Sequence, residues 1–242
     1  MKRGTFFMRW FLVTMSSTYS RNGDPSEKRA MSDNRQMVLG TYNQKKRGEL
    51  QRLLLPLNIE LKTLEEFPEV VEDGSSFAEN AAKKATQQAV ALGQWVLAED
   101  SGLCVDALKG APGIYSARFS GDDATDEKNN DLLLEKLEGL PPEKRGAHYV
   151  CHIVLSNPQG EVVLEAEDKC HGRIVTERRG TNGFGYDPLF ELREYHRTFG
   201  EMGPAIKGLI SHRAKASRAF VHELGMMLAK NPALLAIGSV KK

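Results

Sequence analysis

Two adjacent carboxylates, Glu99 and Asp100, follow the apolar run Trp95-Val96-Leu97-Ala98 and lead into Ser101-Gly102. Read as a strand that delivers acids into a Ser-Gly turn, the segment puts them where α/β proteins hold metals and phosphates. Pro112-Gly113-Ile114-Tyr115-Ser116-Ala117-Arg118 follows as a rigid loop ending in a cation. Taken alone, Asp100 is equally readable as a turn former.

Four further segments carry groups of the same kind. In Thr41-Tyr42-Asn43-Gln44-Lys45-Lys46, Asn43 is a good helix N-cap, and exposed amides at a helix start suit phosphate oxygens. Lys46 falls in the first turn, where the helix dipole disfavours a cation unless an anion lies nearby. In Glu72 to Ala85, Asn80 and Lys84 share one helix face, as do Glu79 and Lys83, while Glu72 precedes the helix on a loop free to reach a metal. In Thr181 to Pro188, glycines bracket Phe184, whose flat face suits a nucleobase. Lys207 and the run Ser211-His212-Arg213 put three cationic or switchable groups near the start of the last helix, suited to phosphate or base oxygens. Each segment also has a bland reading: a capped helix, a solvated acid, a tight turn, a solvated helix start. His148 and His152 lie four apart in a strand-like segment with no acid at ligand spacing, and no metal is expected there.

These groups need elements to hold them. Met37–Gly40 reads as a short buried strand, followed by a helix from about Gln44 to Leu55 that Pro56 stops. Ile59–Lys62 reads as a second strand. Ser76 to Leu92 is Ala-rich and helical, with Gly93 as its cap. A helix is expected over about Asp126 to Leu137. Ala147–Ser156 and Glu161–His171, separated by Asn157-Pro158-Gln159-Gly160, predict an antiparallel hairpin. The last helix runs from about His212 to Lys230, with Phe220, Leu224 and Met227 on one face. The result is a mixed α/β domain with helices packed on a central sheet.

Lys plus Arg total 33 and Asp plus Glu 32, so a net charge of +1 gives no global pull toward a nucleic acid polymer or a membrane. Three cysteines without C-x-x-C spacing read as reduced thiols and a cytoplasmic location. Residues 1–35 differ from the rest: a short apolar run broken by Arg9, then polar sequence. They read as a disordered extension, leaving 36–242 as a single catalytic domain.

In combination the motifs are more specific than any one of them. T-x-N-x-x-K (Thr41, Asn43, Lys46), F-x-E-N-A (Phe77 to Ala81), D-S-G-L (Asp100 to Leu103), P-G-x-Y-S-A-R (Pro112 to Arg118), G-F-G-Y-D-P (Gly183 to Pro188) and S-H-R (Ser211 to Arg213) occur in that order. The chain from about Met37 to Lys230 therefore resembles the inosine triphosphatase family, the pyrophosphatases of non-standard purine nucleoside triphosphates. The resemblance implies an elongated mixed sheet flanked by helices, two lobes with a central cleft, and a homodimer. It implies a Mg²⁺-dependent hydrolase taking ITP, dITP and XTP to the monophosphate and pyrophosphate. Asp100 would be general base and metal ligand, and Glu72 the partner acid. Lys46 and Lys84 would hold triphosphate oxygens, and Ser101 would also touch the nucleotide. Phe184 would stack on the base, Asp187, Lys207, His212 and Arg213 would line the base and sugar site, and Thr41, Asn43, Gly185 and Tyr186 would also bind the substrate. Tyr42, Pro204-Ala205-Ile206 and Ala214 depart from the family pattern, which has a small Gly, acids and a Gly there.

Hydrolysis between the α- and β-phosphates needs a positioned water and neutralisation of the charge developing on pyrophosphate. A donor such as Arg213 aimed at a 6-keto oxygen would favour hypoxanthine and xanthine over adenine by roughly 1–3 kcal/mol. The alternatives are a nucleotide pyrophosphatase of different base preference, for instance for modified pyrimidines, and a catalytically silent nucleotide-binding module.

Overall fold

The computed structural model describes residues 35–64, 66 and 68–235. The extension read over residues 1–35 lies, Arg35 apart, outside the described residues. In chain order the elements are β1 (Gln36–Leu39), α1 (Gln44–Leu54), β2 (Glu60–Lys62), α2 (Phe77–Leu92), β3 (Val96–Val105), α3 (Asp126–Lys136), β4 (Gly146–Ser156), β5 (Val162–Ile174), β6 (Phe190–Leu192), β7 (Arg197–Thr198), α4 (Pro204–Ile210) and α5 (His212–Lys230).

The strands form a seven-stranded mixed sheet in the order β2-β1-β3-β4-β5-β6-β7. β1 pairs parallel with β2 and β3, and the remaining neighbours pair antiparallel. The hairpin of β4 and β5 is present as expected, and its Asn157 side chain accepts from the amides of Gln159 and Glu161 to close the turn. α1 starts on Asn43, whose Oδ1 accepts from the amides of Lys45 and Lys46. α2 starts on Ser76, whose Oγ accepts from the Glu79 amide while the Glu79 carboxylate takes the Ser75 amide and hydroxyl. Glu79 is therefore spent on the cap, and Lys83 pairs with Asp73 instead of with Glu79 as the helical spacing suggested. Ala81 and Ala85 let α2 lie close against Ala98 of β3 and Val154 of β4.

One expectation fails in an instructive way. Ser101-Gly102 is no turn: β3 runs unbroken for ten residues, and its whole length pairs with β4. Gly102 serves close approach rather than a bend. A Cβ there would overlap Ser116 Oγ, the Gly113 carbonyl and the Phe77 ring. The segment Gly113–Arg118 is a 3-10 helix docked on this spot, with Ser116 Oγ accepting from the Leu103 amide and donating to the Gly113 carbonyl.

β3 and β4 thread two separate cores. One gathers Met37, Leu39, Leu50, Leu54, Leu97 and Ile153 against Phe220 and Leu224 of α5. The other gathers Leu103, Val105, Leu133 and Tyr149 against Phe190 and Phe199. Between Leu97 and Leu103 the strand carries Glu99, Asp100 and Ser101, so its polar centre lies where one core ends and the other begins. Pairing with β1 ends at Leu39 and Leu97, beyond which the loop from Gly40 to Asn43 turns into α1. This junction of the two lobes is the cleft.

Candidate active site

Successive strand residues point to opposite faces, and β3 uses this to split its acids. Asp100 faces α2. Its Oδ1 lies 3.2 Å from Lys84 Nζ, and its Oδ2 accepts from Asn80 Nδ2 at 3.4 Å. Asn80 and Lys84, one turn apart on α2, thus each hold one oxygen of the same carboxylate. Lys84 Nζ also lies 2.9 Å from Glu72 Oε2, which brings the loop acid to the strand acid. Burial raises the pKa of Asp100 above the ordinary carboxylate range, against the pull of Lys84 and Lys46. Burial also opposes the charge on Lys84, but Asp100 and Glu72 outweigh it and hold its pKa above that of a free lysine.

Glu99 faces the other way, toward α1 and α5. Its Oε1 lies 3.0 Å from Lys46 Nζ and 3.4 Å from Arg213, and its Oε2 accepts from the Cys151 thiol. The dipole misfit of Lys46 at the start of α1 is thereby answered inside the protein. Arg213, 1 % exposed, also pairs with Glu49 and donates to Ser101 Oγ at 2.8 Å. Glu49 in turn lies 3.1 Å from Lys207 Nζ, which sits 2.7 Å from Asp187 and 4.4 Å above the Phe184 ring. Burial alone would raise the pKa values of Glu99 and Glu49. Arg213 and Lys46 reverse this for Glu99, and Arg213 and Lys207 for Glu49, so both lie below the ordinary glutamate value.

That depression has a consequence for stability. Both carboxylates bind protons less readily folded than unfolded, so their contribution is complete above the unfolded glutamate pKa of about 4.3 and is lost as pH falls below it. Urea melts from pH 6 to pH 3 should show stability falling through the acid limb, and Glu49→Gln should make that limb shallower. An identical slope in the variant would contradict the assignment.

Phe184 sits on a loop that is braced from three sides. Asp187 Oδ2 accepts from the Phe184 amide at 2.8 Å, and a Cβ at Gly183, whose φ is +82°, would collide with that carboxylate. Asp126 accepts from the Gly185 amide, and Asn130 donates to the Gly185 carbonyl. Tyr186 is buried and donates its hydroxyl to the Ser116 carbonyl. Beside this loop, His212 stacks on Tyr149 with ring centroids 4.6 Å apart. Burial, with the charges of Arg213 and Lys207, pushes its pKa well below the ordinary histidine value, so the ring is neutral. His212 Nδ1 and Arg213 Nε are buried and have no hydrogen-bond partner among the described residues.

The residues singled out in the sequence fall into two adjoining compartments. Thr41, Asn43, Lys46, Glu72, Lys84, Asp100 and Ser101 line one. Asn43, Lys46, Ser101, Phe184, Gly185, Tyr186, Asp187, Lys207, His212 and Arg213 line the other. Asn43, Lys46 and Ser101 belong to both, so a single ligand can extend from the acid pair to the aromatic pocket. Glu99, Glu49, Asn80, Asp126 and Tyr149 complete the constellation; sequence reasoning read Glu99 with Asp100 as candidate acids and Asn80 as sharing a face with Lys84, and gave the other three no site role. Glu99 was visible beside Asp100, and Asn80 inside its motif; nothing local marks the other three. His148 and His152 lie outside it: His148 stacks on His171, and the ring nitrogens of His152 lie 3.2 Å from Glu165 and Glu167, acids across the hairpin that linear spacing hides.

Hard oxygen donors suit Mg²⁺, which is commonly held by one or two carboxylates together with substrate phosphates and waters. Glu72 and Asp100 fit that description, and the Lys84 ammonium between them shows that the pair already binds a cation. Among the described residues no group of three or more His, Cys, Asp or Glu is arranged to hold a metal unaided.

Comparison with known proteins agrees with this geometry. The dITP/XTP pyrophosphatase of Rhodopirellula baltica is 52 % identical over 198 residues, which is 81 % of this chain and 95 % of the relative. That of Desulfotalea psychrophila is 50 % identical over 183 residues, 74 % of this chain and 81 % of the relative. Among solved structures, a HAM1 protein from Coxiella burnetii superposes with a TM-score of 0.73 at 39 % identity, covering 79 % of this chain and 98 % of that one. A family model described as the Ham1 family matches residues 37–223, and with relatives this similar over nearly their full length the chain belongs to the Ham1 family.

Proposed function

We propose that this protein hydrolyses non-standard purine nucleoside triphosphates, ITP, dITP and XTP, to the monophosphate and pyrophosphate, clearing them from the nucleotide pool. The observation that carries the reading is the continuity of the two compartments: a paired-acid cleft joined through Lys46 and Ser101 to an aromatic and cationic pocket. A silent binding module has no use for a buried carboxylate, Asp100, drawn together with Glu72 at the phosphate end.

In this reading the base enters between Phe184 and the Tyr149–His212 stack, and the triphosphate lies along Thr41, Asn43, Lys46 and Lys84. Glu72 and Asp100 would hold Mg²⁺, which would supply charge neutralisation at the phosphates. Asp100, whose raised pKa brings it nearer to neutral pH, takes the proton of the attacking water. The water oxygen joins phosphorus, the α–β anhydride bond breaks, and pyrophosphate leaves against Lys46 and Lys84. A 6-keto oxygen can accept from the unpartnered Arg213 Nε or from neutral His212, whereas the 6-amino group of adenine cannot. Residues 36–242 acting as one catalytic domain, a homodimer and a cytoplasmic location belong to the same proposal. No helix among the described residues is long and apolar enough to cross a membrane.

Phosphate release in the presence of added inorganic pyrophosphatase, measured with ITP, dITP, XTP, GTP, ATP and dUTP, tests the reading. We expect Mg²⁺-dependent turnover with kcat/KM for ITP and XTP at least about tenfold above that for ATP. Preference for dUTP would move the assignment to pyrimidine triphosphates, and no turnover of any nucleotide would end it.

A further inference from the structure

Three cations that line the cleft are held by acids outside the metal pair: Lys46 by Glu99, Lys207 by Glu49 and Asp187, Arg213 by Glu49 and Glu99. Lys84 differs from the others in which acids it bridges: Glu72, on the loop before α2, and Asp100, in the middle of β3, are the two assigned above to the metal. Resting on that assignment, we propose that Lys84 is a placeholder: its ammonium occupies the position between Glu72 and Asp100 until a divalent ion arrives, and is then handed to the phosphates of the substrate.

The geometry distinguishes the two side chains that α2 sends to Asp100. Asn80 is neutral and fixed, its Oδ1 accepting from the Gly74 amide while its Nδ2 reaches Asp100 Oδ2. It can stay in place with a metal present and keeps the carboxylate oriented. Lys84 carries a full charge 2.9 Å from Glu72 and 3.2 Å from Asp100. A divalent ion on the same oxygens would repel an ammonium so close, so the two occupants exclude each other. Lysine is suited to moving, since a flexible four-carbon stem carries its charge. The wall that Lys84 shares with Lys46, Thr41 and Ser101 is where the triphosphate is expected, so the displaced ammonium has an anion to meet. The exchange also keeps Glu72 and Asp100 from facing each other unneutralised before metal arrives. It makes Lys84 available to substrate only when the metal is in place.

Binding of Mn²⁺ alone, without nucleotide, tests this independently of turnover. Free Mn²⁺ is followed by electron paramagnetic resonance in the wild type, Lys84→Met, Lys84→Arg, Glu72→Gln and the Lys84→Met/Glu72→Gln double variant, with thermal melts to confirm folding. Lys84→Met is expected to bind Mn²⁺ about tenfold more tightly than the wild type, Lys84→Arg no more tightly, and the double variant should lose the gain. If Lys84→Met binds no more tightly than the wild type while Glu72→Gln still weakens binding, the exchange is wrong and the metal assignment stands. If no variant shows Glu72-dependent binding, the metal assignment fails and the exchange with it.

Discussion

Asp100→Asn is expected to lower kcat for ITP by about 10²–10⁴-fold, the range associated with loss of a positioned general base. The substitution keeps size and shape at a position only 7 % exposed, between Asn80 and Lys84. It removes the negative charge and the proton acceptor together. The fold should survive, because the strand pairs with β4 along its whole length and the burial that raises the Asp100 pKa already disfavours the charge. Substrate binding should persist through Lys46 and the Phe184 pocket. Single-turnover rates, an equilibrium nucleotide-binding measurement and a thermal melt together separate these effects. Turnover close to wild type would remove Asp100 from the reaction.

The largest effect on stability is expected from Arg213→Ala. The guanidinium is fully buried and neutralises two acids from different elements, Glu49 on α1 and Glu99 on β3, while donating to Ser101. Its removal leaves those carboxylates buried with one cation each, Lys207 and Lys46. Breaking a buried pair in this way costs about 3–5 kcal/mol, against a total stability of roughly 5–15 kcal/mol for a domain. Arg213→Lys should recover part of the loss, since it restores charge but cannot bridge both acids with a planar fork. Urea denaturation of the three proteins decides the matter. A loss below about 1 kcal/mol for Arg213→Ala would mean that the acids are protonated or hydrated. Any change in base preference in this variant must be judged against the stability loss.

What the sequence shows and hides follows from the range of each interaction. Local chemistry is legible: Asn43 caps the helix expected of it, the helix read from Ser76 to Leu92 starts one residue later with Ser76 as its cap, and the Asn157–Gly160 turn closes the hairpin. The motif combination brings together Lys46, Glu72, Lys84 and Asp100, as the resemblance implied. Ser101-Gly102 misleads because Ser and Gly are common in turns, whereas Gly102 is small so that Ser116 and Phe77 can approach. β6, β7 and α4 are two to seven residues long, too short for periodicity to mark. Glu49 escapes notice for a different reason. Its partners, Lys207 and Arg213, are more than 150 residues away and meet it only when α1 packs beside α5. Departures from the family pattern at Pro204-Ala205-Ile206 leave Lys207 in place, because Pro204 starts a short helix that carries it into the pocket.

A single unbroken β-strand spanning both lobes also constrains how the enzyme can move. The backbone at Asp100 is fastened to its antiparallel neighbour on one side and anchored by apolar packing at both ends, so it acts as a stiff spine shared by the two halves. The floor of the cleft is therefore expected to shift least when the cleft opens, which leaves opening to the rim, at the turn leading into the first helix.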